Sequence, residues 1–125
     1  MPKLLYENLT YKIRGAIFNV HSALGPIHKE SVYQRALAYE LQEQKIPFRQ
    51  EVPLRVKYKD KGVGIYKPDF IVDDKVILEI KAVEFIPPVF KNQLSYYLKG
   101  TDYKVGLLVN FGTRKAQIYR RVYEE

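Results

Sequence analysis

Asp69, Glu79 and Lys81 lie within "YKPDFIVDDKVILEIKA", residues 66–82. Their neighbours are Phe, Ile, Val and Leu, which read as two short strands around the turn "DDK". Side chains alternate across a strand. Ile77, Glu79 and Lys81 therefore share one face, and Val76, Leu78 and Ile80 form a wholly apolar face that should meet the core. With antiparallel pairing and the turn centred near Asp74, Asp69 falls opposite about residue 79. A directly opposed pair has β-carbons roughly 4.5–5.5 Å apart, and two like charges at that distance repel. A divalent cation between them would remove the conflict, since Mg²⁺ takes carboxylate oxygens and waters at about 2.0–2.1 Å. On this reading the acids are half of a metal site with an ammonium group beside it. The plainer alternative is a solvent-facing edge on which Lys81 screens Glu79. These three residues leave both open.

Two further elements can reach the same place. Glu30 starts a helix on which Tyr33, Leu37 and Leu41 mark the apolar face. It is thus on or beside the buried side, although an acid in a first turn also has an ordinary role against the helix dipole. Gln93 and Tyr97 stand one turn apart on a later helix and could line the same cleft. The alternative there is a core Tyr with a solvated neighbour. The only histidines are His21 and His28. His28, two residues before Glu30, reads as a helix-start surface residue before it reads as a ligand, and His21 sits beside the apolar face of the first helix. No Ser-His-Asp set, phosphate-cradling Gly loop or zinc spacing stands out.

These groups must be held by a scaffold that the periodicity also shows. Leu5, Leu9, Ile13, Ala16, Ile17, Val20 and Leu24 recur at helical spacing, and "GP" at 25–26 ends that helix. A second helix is expected from near His28 to about Lys45. Period two follows: "FRQEVPLRVKY" as one strand with Pro53 at an edge or bulge, "VGIYKPDFIV" as a second, "VILEIKA" as a third. "VFKNQLSYYLKG" is a helix closed by Gly100, and "YKVGLLVNF" and "KAQIYRRVY" are two last strands. The order predicts one α/β domain over residues 1–125, a mixed sheet of about five strands flanked by three helices.

The chain has 125 residues, no Cys, 21 Lys and Arg against 14 Asp and Glu, and a formal net charge of +7. Absence of Cys excludes disulfides and thiolate metal sites and favours an intracellular setting. The opening "MPKLLYENLTYKIRG" is too interrupted by polar residues for a signal peptide, and no run approaches the roughly 18 apolar residues of a membrane span. A cytoplasmic protein with no membrane partner is expected. The basic surplus favours polyanions. Lys91, Lys99, Lys104, Arg114, Lys115, Arg120 and Arg121 face few acids, although a merely solvated surface would look the same.

Pro68–Asp69 followed by Glu79-Ile80-Lys81 across a hairpin resembles the signature of the PD-(D/E)XK nuclease superfamily. A narrower resemblance is to its GxxExxY branch, through "LGPIHKESVYQRAL", "YKPDFIVDDKVILEIKAVEF", "QLSYYLKG", "VGLLVNFG" and the closing "YRRV". The branch's name-giving glycine is Ile27 here, where a β-branched side chain disfavours positive φ and close approach. The resemblance covers nearly the whole chain. It implies a restriction-endonuclease-like core. It also implies Mg²⁺ or Mn²⁺ held by Asp69, Glu79 and the Ile80 carbonyl, with Glu30 as ligand or water holder. Lys81 would orient or deprotonate the attacking water, and Gln93 and Tyr97 would lie near metal and substrate. The expected activity is metal-dependent hydrolysis of phosphodiester bonds, with DNA ahead of RNA as the substrate. The alternative is a catalytically silent nucleic-acid-binding or interaction module on the same fold. Tyr119 and Tyr123 leave a homodimer open, and they could equally pack on the sheet.

Overall fold

The computed structural model describes residues 4–123. Its first helix, α1 (Glu7–Leu24), buries Ile13, Ala16, Ile17 and Val20 along one stripe. It stops at Gly25, which adopts φ 70 and returns its N–H to the His21 carbonyl. That left-handed conformation suits glycine because there is no Cβ to clash. The second helix, α2 (Glu30–Glu43), buries Tyr33, Leu37 and Leu41.

The strands are β1 (Phe48–Gln50), β2 (Leu54–Tyr58), β3 (Lys61–Tyr66), β4 (Phe70–Val72), β5 (Val76–Lys81), β6 (Val105–Asn110) and β7 (Gln117–Val122). The third helix, α3 (Pro88–Gly100), crosses from β5 to β6, which pair in parallel. Five strands form one mixed sheet, as the periodicity led one to expect, and their order is β1-β4-β5-β6-β7.

The first two expected strands are each broken in two. β2 and β3 leave the sheet and pair with each other as a separate two-stranded arm. The breaks fall at Pro53 and Pro68, which have no N–H for a ladder. Next to the first break, Glu51 takes φ 53, outside the range of an extended strand. The two tight turns use Lys59 and Asp60, then Asp73 and Asp74, all with positive φ. Primed turns of this kind match the right-handed twist of the flanking strands, and Asp tolerates the left-handed region better than most residues.

The sheet is covered on both faces. Phe70, Val72, Val76, Leu78, Ile80 and their β6 counterparts pack under α1 and α2. Ile77, Leu108 and Tyr66 pack with Leu94 and Leu98 of α3. The predicted alternation on β5 is therefore observed: its even-numbered side chains enter the larger core, and Ile77 turns toward α3. Tyr119 and Tyr123 pack against this second cluster. The basic residues of the last third do not share one face. The Lys91 ammonium lies 3.9 Å from the Tyr119 ring centre, whereas Arg120 donates to the Leu5 carbonyl beside α1. Among the described residues no helix is long and apolar enough to cross a membrane.

Candidate active site

The register of β4 with β5 pairs Phe70 with Leu78, which brings the preceding Asp69 level with Glu79. The two carboxyls do not simply confront each other. Asp69 Oδ2 accepts the Ile80 N–H at 2.6 Å, so the side chain continues the ladder after the strand has ended. Glu79 Oε1 accepts the Tyr66 hydroxyl at 2.7 Å. Pro68 makes this arrangement possible, because it turns the chain between Tyr66 and Asp69 and lets both approach Glu79.

Burial raises both carboxyls. Glu79 is pushed up to about 7, chiefly by desolvation, against the opposing pull of the Tyr66 hydrogen bond and Lys81, with the Asp69 charge adding to the rise. Asp69 is also raised by burial, although the Ile80 N–H and Lys81 hold it back, and Glu51 pushes it further. The Tyr66 hydroxyl is held protonated well above its ordinary range by burial and by Glu79. It is therefore a fixed donor. Two neighbouring carboxyls whose pKa values burial raises are a functional signal with a physical cause.

Glu30 is the first residue of α2, which lies on the opposite face of the sheet, and it reaches this end of β5. Its carboxyl is raised by burial, lowered by Lys81 and raised again by Asp69, so it belongs to the same electrostatic group. Gln34 of the next turn donates to its Oε1 at 3.4 Å. Lys81 makes no ion pair among the described residues. Its ammonium instead lies 4.8 Å from the Phe90 ring centre. A cation held on an aromatic face stays within reach of the acids without being consumed by any one of them.

Gln93 and Tyr97 do line the cleft. A small cavity of about 20 Å³ is bounded by Glu79, Lys81, Phe90, Gln93, Leu94 and Tyr97. That is room for one water molecule. Tyr97 stacks on Tyr66 with ring centres 3.7 Å apart and planes 3° from parallel, so α3 braces the tyrosine that holds Glu79. Larger open hollows lie elsewhere, one of about 390 Å³ beside Asp74 and Asp102. Those two acids already answer Arg49 and Lys57, and they carry no buried pair.

Tyr66, Phe90 and Asn110 are absent from the residues that the sequence pattern nominates. Tyr66 lies within the same stretch as the acids, but its role depends on the bend at Pro68. Asn110 is fully buried and clamps the chain just after Lys81: its Oδ1 accepts the N–H groups of Val83 and Gly112, and its Nδ2 donates to the Val83 carbonyl. An Asn at the end of an otherwise apolar strand was the available signal. The His28 ring packs edge-on against Tyr33, and the His28 backbone N–H donates to the Tyr33 hydroxyl, which in turn donates to the Gly25 carbonyl. Tyr33 thus ties the loop before Glu30. Ile27 is 82% exposed and keeps a negative φ, because Gly25 already supplies the left-handed residue of that loop.

The donor set fits a hard divalent cation in kind. It offers carboxylate oxygens, and Asp69 has only Oδ2 engaged among the described residues. It is not a closed cage: among the described residues no three His, Cys, Asp or Glu side chains stand close enough to hold an ion as they are.

No curated protein matches the chain. The solved structure of SSO0001 superposes with a TM-score of 0.56 at 22% identity, over 96% of this chain and 60% of that one. The chain thus spans about 60% of that protein's length, and the likeness is one of fold. The sequence pattern of the PD-(D/E)XK nuclease superfamily matches residues 7–122, from the start of α1 to the end of β7. With that match running through the proline, the two acids and the lysine of the β4–β5 hairpin, the chain belongs to the PD-(D/E)XK nuclease superfamily.

Proposed function

We propose that the chain is a divalent-metal-dependent nuclease that hydrolyses phosphodiester bonds in DNA, within the GxxExxY branch of its superfamily. The observation that carries this reading is the level pairing of Asp69 with Glu79 at the end of β5, two residues before an unpaired Lys81. Asp69, Glu79 and the Ile80 carbonyl would hold Mg²⁺ or Mn²⁺, with Glu30 as a further ligand or as the group that holds a water. Such an ion supplies positive charge against the phosphate oxygens and makes water more acidic. Lys81 hydrogen-bonds the attacking water and stabilises charge that builds on the phosphate. Gln93 and Tyr97 line the space in which that water would sit, and Tyr66 keeps Glu79 oriented. The water oxygen forms the new bond to phosphorus, one ester P–O bond breaks, and the water's protons pass to solvent and the leaving oxygen.

A second reading is a catalytically silent nucleic-acid-binding module. The open spacing of the three acids favours it. One experiment separates the two. Labelled single-stranded and duplex DNA is incubated with the protein and Mg²⁺ or Mn²⁺, with EDTA as control. Cleavage that requires the metal and is lost in Asp69→Asn, Glu79→Gln and Lys81→Ala, each folded by circular dichroism, is the expected result. Cleavage that persists in all three variants overturns the assignment. Absence of cleavage on every substrate, with DNA binding retained, selects the silent module.

A further inference from the structure

The β2–β3 arm projects from the sheet and is strongly one-sided in charge. Arg55, Lys57, Lys59, Lys61 and Lys67 oppose one acid, Asp60. Lys57 pairs with Asp102 beside α3. The other four cations make no ion pair among the described residues. Leu54 and Val56 pack one side of the arm against the α3 cluster. The rest is open: Tyr58 is 62% exposed, Val63 62% and Ile65 70%. Lys59 leans on the Tyr58 ring, 5.3 Å from its centre. Val63 is unpaired at a register shift, which roughens the free edge.

The arm is also physically joined to the cleft. Its last residue, Tyr66, is the donor to Glu79 and the stacking partner of Tyr97. Lys67 follows Tyr66 directly at this inner end, while Arg55, paired with Ile65, lays its guanidinium along the arm over Gly62. Lys59 and Lys61 lie at the outer end, roughly 15–20 Å away at a strand's rise per residue. Cations therefore mark both ends of a track that terminates at the paired carboxyls.

We propose that the β2–β3 arm is a docking surface for single-stranded DNA that leads the strand into the cleft. It rests on the nuclease reading of that cleft and adds the substrate's form and path. Charge complementarity selects the occupant. Two copies of the arm edge to edge would set like charges against each other, whereas a phosphate backbone answers them. An exposed aromatic between lysines is the combination that binds unpaired nucleic acid, with cations on phosphates and rings on base faces.

The test is fluorescence anisotropy with labelled oligothymidylate in EDTA, over a salt series, so that cleavage cannot contribute. Removing two phosphate contacts in Lys59→Ala/Lys61→Ala is expected to weaken binding about fivefold or more and to flatten the log–log salt slope by roughly 1.4. Tyr58→Ala should weaken binding about fivefold with the slope unchanged, since stacking releases no counterions. Lys12→Ala, exposed on α1, should change neither. Equal affinity and slope in the double variant overturn the proposal. So does tighter binding of the annealed duplex or of oligouridylate. A dimer in sedimentation that Ile65→Asp dissolves would assign the arm to a second copy instead. If arm-dependent binding is found without metal-dependent cleavage, the nuclease reading fails and the docking surface stands.

Discussion

Glu79 carries the largest burden of any single residue, because its carboxyl is buried, faces a second acid and depends on Tyr66. In metal-free protein its pKa of about 7 lies above the value of about 4.3 for an unfolded Glu. A carboxyl raised by folding binds its proton more tightly in the native state, so its stabilising form is fully present below the unfolded value. That contribution is lost as pH rises from about 4 through about 7. The shift corresponds to an upper bound of roughly 4 kcal/mol. Glu79→Gln keeps an acceptor for Tyr66 but cannot ionise. Its melting temperature is therefore expected to exceed the wild type's by an increment that grows between pH 5 and pH 8. Scanning calorimetry in EDTA measures this, and an increment constant across that range would refute it. Tyr66→Phe makes the complementary prediction. The hydroxyl stabilises the Glu79 carboxylate, so its loss raises the Glu79 pKa further. The acid limb of the kcat/KM profile should move to higher pH while the alkaline limb stays in place. Ile27 keeps a negative φ because the one positive φ of that loop falls at Gly25.

At the scale of elements, the site depends on how β5 ends. Parallel pairing with β6 brings Lys81 level with Asn110, and Asn110 then holds the departing chain through Val83. Gly112 lies against the same segment: a Cβ there would meet the Val83 nitrogen at 2.3 Å and the Ala82 carbonyl carbon at 2.6 Å. Backbone cannot yield as a flexible side chain can. Asn110→Ala leaves buried N–H and C=O groups unpaired, at about 1–3 kcal/mol. It should lower the melting temperature by roughly 5–10 °C. Gly112→Ala should be at least as damaging, and both should reduce cleavage through displacement of Lys81. Full activity with a lowered melting temperature would show that the clamp does not position the lysine.

For the whole molecule, the proposed site draws on three layers. One helix layer sends Glu30 over the end of the sheet, the sheet supplies Asp69, Glu79 and Lys81, and the other layer supplies Gln93 and Tyr97. A cation that binds only this assembled form stabilises it by mass action, about 2.7 kcal/mol at a hundredfold excess over Kd. Mn²⁺ should therefore raise the melting temperature, more at pH 8 than at pH 5.5, because the carboxyls must lose their protons to bind. Asp69→Asn should abolish the shift. An equal shift in the wild type and this variant, read by thermal fluorescence, would place the metal elsewhere.

The sequence by itself determined the alternation on β5, the apolar stripes of all three helices and the proximity of Asp69 to Glu79. Each of these follows from local geometry: a strand period of two, a helix period of 3.6 and a short turn between neighbouring strands. It could not determine that Pro53 and Pro68 would divide a pair of long strands into four short ones, because a proline permits a bend without saying where the freed segments pair. Nor could it place Tyr66 on Glu79, Lys81 on Phe90 or Asn110 against Val83. Those contacts join residues 13, 9 and 27 positions apart in the chain. They exist because sheet and helix layers pack in one particular way, and only the tertiary structure decides such long-range neighbours.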